Sequence, residues 1–129
     1  MTKDKTAPVI TLALLLAGAT PSLAGEADVV GVDVRPEGGG RYTVSATVRH
    51  DDTGWDHYAD AFEVLAPDGA VLGTRVLVHP HETEQPFTRS LTGVAIPEGI
   101  TEITVRAHDK VHGLGGQEVT VSLPDRPPS

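Results

Sequence analysis

Short runs of alternating apolar and polar residues follow one another along the chain from Ala27 onward. The clearest run places Tyr42, Val44, Ala46 and Val48 on one side and polar residues on the other. A period of two residues is typical of a β-strand with one face in the core and one face in water. Six further runs rich in apolar and β-branched residues predict strands at residues 30–34, 62–66, 71–78, 87–96, 103–107 and 119–123.

Turn-forming residues separate these runs. The segment 36–40 (Pro-Glu-Gly-Gly-Gly) should end the first strand. Residues 66–69 (Ala-Pro-Asp-Gly) should form a tight hairpin turn, because Pro presets φ and Gly supplies a positive φ. Gly93 marks a bulge, and the turn at 97–99 reverses the chain again. Short strands with frequent turns and no helical periodicity predict an all-β fold, a seven-stranded antiparallel β-sandwich.

The last two predicted strands and the loop between them follow a recurrent pattern. It consists of residues 103–109 (Ile-Thr-Val-Arg-Ala-His-Asp), then Gly113, then Val119-Thr120-Val121. This stretch resembles the end of bacterial immunoglobulin-like and fibronectin-type domains, which have an alternating strand, Ala-x-Asp, a Gly-containing loop and a final Val-x-Val strand. The resemblance implies an immunoglobulin-like β-sandwich over residues 25–123. It implies a fold and carries no activity with it.

The first 24 residues have the features of a secretory signal peptide. Two lysines precede an apolar run at residues 9–16, which is too short to span a membrane, and small residues end at Ala24. We place the cleavage after Ala24, with Ala19 as a weaker alternative because Pro21 follows it closely. The sequence therefore predicts an exported protein, periplasmic or secreted. The Pro-rich residues 124–129 predict a disordered tail.

Composition narrows the classes of partner. Removing residues 1–24 leaves eight basic against seventeen acidic residues, a formal net charge of −9. This charge disfavours nucleic acid and anionic lipid and is compatible with cations. The chain has no cysteine, so it forms no disulfide and offers no cysteine for lipid attachment. No later apolar run is long enough to cross a membrane.

All histidines of the chain should lie at one end of the sandwich. If the strands alternate in direction, the loops 50–57, 79–86 and 108–116 share that end, whereas the turns at 67–69 and 97–99 lie at the other. The densest run of candidate ligands, His79-Pro80-His81-Glu82, is in the second of these loops. The six candidate metal ligands are His50, His57, His79, His81, His108 and His112.

Each histidine alone also has a simpler interpretation. His50 continues the inward row of its strand and is equally compatible with a hydrogen-bonded residue at the edge of the core. His57 could cap its loop beside Trp55, and His112 could be exposed among glycines. Carboxylates near the histidines could be ligands, could orient the imidazole rings or could simply be solvated. These carboxylates are Asp51, Asp52, Asp56, Glu82, Glu84 and Asp109.

The donor types limit the metal. Without cysteine, a blue-copper centre, an iron–sulfur cluster and a thiolate zinc site are excluded. The only methionine is Met1, which excludes a thioether copper carrier. Imidazole sites with carboxylate support suit Zn(II) or Cu(II). The sequence thus predicts a carrier, buffer or sensor of one of these ions.

Two other functions stay open. Loops at one end of an immunoglobulin-like fold often form a recognition surface, and Trp55 and Tyr58 could contact a periplasmic protein or a glycan there. A metal-dependent redox enzyme is the less favoured alternative. The cysteine ligand of superoxide reductases is absent, and nothing matches the histidine pattern of copper-zinc dismutases beyond one His-x-His.

Overall fold

The computed structural model describes residues 26–126. The predicted signal peptide and residues 127–129 of the predicted tail lie outside this range. Residues 26–126 form seven β-strands and no helix. The strands are β1 Asp28–Gly38, β2 Arg41–Arg49, β3 Ala59–Leu65, β4 Val71–Val76, β5 Phe87–Ala95, β6 Glu102–Asp109 and β7 Val119–Ser122.

The strands form two antiparallel sheets. One has the order β1-β2-β5 and the other the order β4-β3-β6-β7. The predicted all-β class with seven antiparallel strands is therefore confirmed for the described residues. The narrower likeness to immunoglobulin-like domains stays a prediction.

The inward rows of both sheets build one apolar core, as the period-two pattern predicted. On β2 the buried positions alternate from Tyr42 to Val48, and on β6 they alternate from Ile103 to Ala107. Each buried aliphatic side chain removed from water contributes about 1.5–3 kcal/mol to folding. The fully buried residues on these and neighbouring strands include Val29, Tyr42, Val44, Val48, Phe62, Val64, Phe87, Ile103 and Val105.

The first strand is longer than predicted. The sequence placed a break at residues 36–40, but β1 continues through Pro36 to Gly38. The strand tolerates Pro36 because β1 is an edge strand, where a missing N–H removes no hydrogen bond from the interior of the sheet. The chain turns only at Gly39 and Gly40, whose φ values of 66° and 79° fit a two-residue hairpin loop of the type that needs positive φ at both positions.

The predicted hairpin turn and bulge are both present. Gly69 has a φ of 92°, and β3 and β4 pair on either side of the turn, from Ala61 opposite Val76 to Leu65 opposite Val71. Gly93 has a φ of 69° and lies where the register between β2 and β5 shifts.

The described part of the predicted tail makes specific contacts. The Tyr42 hydroxyl donates to Asp125 Oδ1 at 2.6 Å, and Arg126 Nη1 donates to the Pro97 carbonyl oxygen at 2.7 Å. These contacts close the end of the sandwich that holds the turns. The loops 50–58, 77–86 and 110–118 lie at the opposite end, as the alternation of strand direction predicted.

Candidate metal centre

The centre is built where the inward rows of the two sheets run out of apolar residues. On β2, the row that begins at Tyr42 continues one step past the strand to His50. On β6, the row that begins at Ile103 ends on Asp109. Both side chains are fully buried. Because the rows face each other across the core, they bring an imidazole from one sheet to a carboxylate from the other.

His57 completes a group of three candidate ligands. His50 Nε2 and His57 Nε2 are 3.3 Å apart, and His57 Nε2 is 3.4 Å from Asp109 Oδ1. His50 Nε2 is 3.9 Å from Asp109 Oδ2. One donor atom from each of the three residues lies within 4.8 Å of the other two, an arrangement that could hold a metal ion.

His112 stands at the exposed side of this group. Its Nδ1 is 3.4 Å from Asp109 Oδ1, and its ring centroid is 5.0 Å from that of His57. It is carried by the loop after β6, which is fixed to the strand end by an antiparallel bridge between Asp109 and Gly113. His112 is therefore close enough to add a third imidazole.

Asp109 is a buried carboxylate with one unsatisfied oxygen. Oδ1 accepts the backbone N–H groups of Val111 and His112 at 2.8 and 2.7 Å, whereas Oδ2 has no hydrogen-bond partner among the described residues. Burial acts to raise the pKa of Asp109, but these backbone donors and the imidazoles of His50 and His112 hold the pKa below its usual value. The group is thus a buried anion, which is costly unless a cation balances it.

His50 is oriented by a second buried carboxylate. Its Nδ1 lies 2.5 Å from Asp52 Oδ1, and both side chains are fully buried. This contact leaves Nε2 directed at His57 and Asp109. Metal-binding imidazoles are commonly held in this way, by a hydrogen bond from the ring nitrogen that does not face the metal.

The pair singled out first in the sequence, His79 and His81, lies outside the group of three. The His81 ring stacks on Phe87 at 3.8 Å, and Arg89 Nη2 donates to its Nε2 at 3.0 Å. Burial, with the charge of Arg89, lowers the pKa of His81. His79 is exposed and its Nδ1 contacts the Pro80 carbonyl oxygen at 3.1 Å. As arranged, His81 is a packed, neutral ring whose Nε2 is already occupied.

His108 also lies outside the group, because it occupies an outward position of β6. Its neighbours Ala107 and Asp109 face the core, so its own ring points to the outer surface of the sheet. There Nδ1 contacts Asp60 Oδ1 at 2.6 Å. The Asp60–His108 pair repeats the carboxylate–imidazole contact of the centre at a partly exposed place.

The remaining predicted residues lie around the rim. Asp51, Asp56 and Glu82 are exposed. Trp55 is 64% exposed, whereas Tyr58 is buried beneath it, with the two rings edge to face at 5.7 Å. Of the predicted recognition pair, only the indole is available at the surface. It lines a cleft with His79, Pro80, Glu82 and Thr83.

Two carboxylates have a larger role than the sequence analysis gave them. Asp109 was named as a support for the ligands, and the structure places it in the group of three. Asp52 was one of several loop carboxylates near the histidines, and the structure places it against the His50 ring. Counting inward positions in steps of two along the strand would have identified both, since Asp109 is two residues beyond Ala107 and Asp52 is two residues beyond His50. Asp60 had no such signal, because its partner His108 is 48 residues away in the chain.

Comparison with known proteins leaves the family open. No protein-family model matches the chain. A candidate lipoprotein of Halomicrobium mukohataei is 48% identical over 96 residues, which is 74% of this chain and 47% of that protein. The chain thus spans about half the length of that relative.

Two solved structures have similar chain traces. A hypothetical protein of Pyrococcus horikoshii OT3 is 17% identical and has a TM-score of 0.52, over 84% of this chain and 98% of that chain. At this identity the similarity concerns the fold alone. A superoxide reductase (neelaredoxin) of Archaeoglobus fulgidus is 18% identical with a TM-score of 0.47, over 74% of this chain and 89% of that chain.

Within residues 26–126, no helix is long and apolar enough to cross a membrane.

Proposed function

We propose that this chain is an exported metal-binding protein that holds one Zn(II) or Cu(II) ion between His50, His57 and Asp109 and acts as a carrier, buffer or sensor of that ion. The observation that carries the proposal is the buried Asp109 carboxylate, whose unpartnered Oδ2 lies 3.9 Å from His50 Nε2 and whose Oδ1 lies 3.4 Å from His57 Nε2. A purely structural polar cluster would explain the His50–Asp52 contact. It would not explain a buried anion with one oxygen left unsatisfied.

The spacing of the donor atoms supports a metal of this size. Bonds of roughly 2.0–2.1 Å that meet at a tetrahedral angle place neighbouring ligand atoms about 3.3 Å apart. The distance between the Nε2 atoms of His50 and His57 is 3.3 Å, and His57 Nε2 is 3.4 Å from Asp109 Oδ1. Two imidazoles and a carboxylate are a donor set that zinc and copper accept.

His112 is the candidate fourth ligand. A site closed by four protein ligands suits storage or structure, whereas three ligands leave a position for water or another molecule. An open position would also permit redox or hydrolytic chemistry, which is the less favoured alternative. Whether His112 binds the ion separates these cases.

Export is supported by two observations. The first 24 residues have the pattern of a signal peptide. The relative from Halomicrobium mukohataei is named as a candidate lipoprotein. Periplasmic and secreted locations are both compatible with these observations.

The test is metal content by mass spectrometry on protein purified without a nickel column, followed by Zn(II) and Cu(II) titration of the stripped protein. We expect one ion per chain with sub-micromolar affinity. The affinity should decrease as the pH is lowered through the ordinary imidazole pKa of about 6.5, because protonated imidazoles do not bind metal. His57→Ala should abolish tight binding. His108→Ala, which removes an imidazole outside the group, should leave it unchanged. No stoichiometric metal, or equal losses in both variants, would refute the proposal.

A second candidate function is recognition of a periplasmic protein or a glycan. It is favoured by the exposure of Trp55 and by the cleft that this residue lines with His79 and Glu82. Trp55 is the only tryptophan of the chain, so its fluorescence reports on the cleft directly. A saturable change on adding a defined oligosaccharide, lost in Glu82→Gln, would support glycan binding; no change with any oligosaccharide tested would count against it.

A further inference from the structure

Asp52 links three segments of the chain at this end of the molecule. It is fully buried, and it accepts hydrogen bonds from groups in three different segments. Its Oδ1 contacts the His50 ring at 2.5 Å and the backbone N–H of Ala59, at the start of β3, at 3.2 Å. Its Oδ2 accepts the backbone N–H of His81 at 2.6 Å.

These contacts decide which nitrogen of His50 carries the proton. An ionised carboxylate can only accept hydrogen bonds, and backbone N–H groups can only donate them. The partner of Asp52 Oδ1 on the His50 ring must therefore be an N–H, which places the proton on Nδ1. Nε2 is then the ring nitrogen directed at His57 and Asp109, and it carries the lone pair whenever the ring is neutral.

We propose that Asp52 is the positioning residue of the metal centre: it fixes His50 in the Nδ1–H tautomer and ties the loop 77–86 to the same point. This inference rests on the proposed metal-binding function. Asp52 reaches the ion only through His50, so it acts on affinity by orienting a ligand.

The second part of the inference rests on how the loop is anchored. Asp52 Oδ2 holds the His81 backbone, and the His81 ring is stacked on Phe87. Gln85 adds a parallel connection, because its Oε1 accepts the His50 N–H at 2.9 Å and its Nε2 donates to the His81 carbonyl oxygen at 2.8 Å. His50 is therefore connected to this loop through Asp52 at its ring and directly through Gln85 at its backbone.

The consequence is that the cleft beside Trp55 is coupled to the centre. His79, Pro80 and Glu82 line that cleft and belong to the loop that Asp52 anchors. Fixing His50 by a metal ion should also restrain the loop. Slower amide exchange in residues 79–86 on zinc loading is the expected sign of this coupling.

The experiment is nitrogen-15 NMR of the imidazole rings in the metal-free protein, combined with zinc titration of variants. Unaltered protein should show His50 as the Nδ1–H tautomer. In Asp52→Asn the side chain offers an NH2 group in place of one oxygen and can no longer accept from His50, Ala59 and His81 together, so the Nδ1–H tautomer should be less populated, and zinc affinity should fall about 10–100-fold, as for other carboxylates that orient a metal-binding histidine. The matched control is Asp60→Asn, which alters the carboxylate of His108 and should leave zinc affinity within about threefold.

The outcomes separate this inference from the proposed function. An Nε2–H tautomer of His50 in unaltered protein would overturn the inference without any variant having to fold. Zinc affinity that falls equally in Asp52→Asn and Asp60→Asn would also overturn it. Failure of unaltered protein to bind zinc would refute the proposed function instead, while the tautomer still shows whether Asp52 orients His50.

Discussion

The two ends of β2 carry a polar group on the same inward row and surround it differently. At one end, the Tyr42 hydroxyl donates to Asp125 at 2.6 Å and Arg126 lies 5.3 Å from the centre of its ring. At the other end, His50 meets Asp52, His57 and Asp109.

The difference lies in how completely the polar atoms are satisfied. At the Tyr42 end, the buried phenol has its partner within the chain. At the His50 end, two buried atoms have no hydrogen-bond partner among the described residues, His81 Nδ1 and Asp109 Oδ2. Leaving a buried polar group without a partner costs about 1–3 kcal/mol. This destabilising feature is present at the His50 end, whereas the Tyr42 hydroxyl has its partner. The contrast favours a binding role for the His50 end.

The largest effect is expected for Asp109→Asn. The amide oxygen can still accept the N–H groups of Val111 and His112, so the fold should persist, but the anionic ligand is lost. Removing a carboxylate that only orients a ligand typically lowers metal affinity by about 10–100-fold. Loss of a direct ligand should therefore weaken zinc binding by about 100-fold or more. Competition titration measures the affinity, and a thermal melt of the metal-free variant checks the fold. A folded variant with unchanged affinity would contradict the account.

A smaller loss is expected for His112→Ala. His112 is at the exposed side of the group, where water can replace its imidazole. Zinc affinity should therefore fall by about tenfold, less than in His57→Ala. Isothermal titration of both variants side by side makes the comparison. If His112→Ala removed binding as fully as His57→Ala, the site would be a closed one in which all four ligands are essential.

Tyr42→Phe should affect the other end alone. The variant loses the hydrogen bond to Asp125 and keeps the packing of the ring, so we expect a stability loss of about 1 kcal/mol. Urea denaturation measures this change, and zinc titration should give the same affinity as the unaltered protein. A loss of zinc affinity would show that the two ends are coupled through β2.

The smallest effect is on the alkaline side of the stability profile. Burial, together with the hydrogen bond to Asp125, raises the pKa of Tyr42. A raised folded-state pKa gives stability that is complete below the unfolded value of about 10 and is lost as pH rises through the folded value. Urea midpoints measured across this alkaline range should fall in the unaltered protein and fall less in Tyr42→Phe. Parallel curves for the two proteins would argue against the contribution of Tyr42.

The regular part of this molecule was predictable because strand periodicity is a local property. Alternation on β2 predicted both the core row and the inward position of His50. The same reasoning on β6 would have placed Asp109 inside and His108 outside. The error at Pro36 has a different origin, since only the sheet order shows that β1 is an edge strand where proline is tolerated.

The loop histidines could not be placed in the same way. His81 is fixed by stacking on Phe87 and by contacts with Asp52 and Arg89, none of which follows from a periodic pattern. Density of histidines in the sequence pointed to residues 79–82, whereas burial beside a carboxylate selected His50 and His57. In this chain, strand periodicity points to His50 and Asp109, two members of the candidate group of three, whereas histidine density points to residues 79–82, which lie outside it.

The most direct measurement is an anomalous difference map from crystals of the zinc-loaded protein, collected on both sides of the zinc absorption edge. We expect one strong peak between His50 Nε2, His57 Nε2 and a carboxylate oxygen of Asp109. A peak at His79 or His81 with none at Asp109, or no ordered peak at this end of the sandwich, would contradict it.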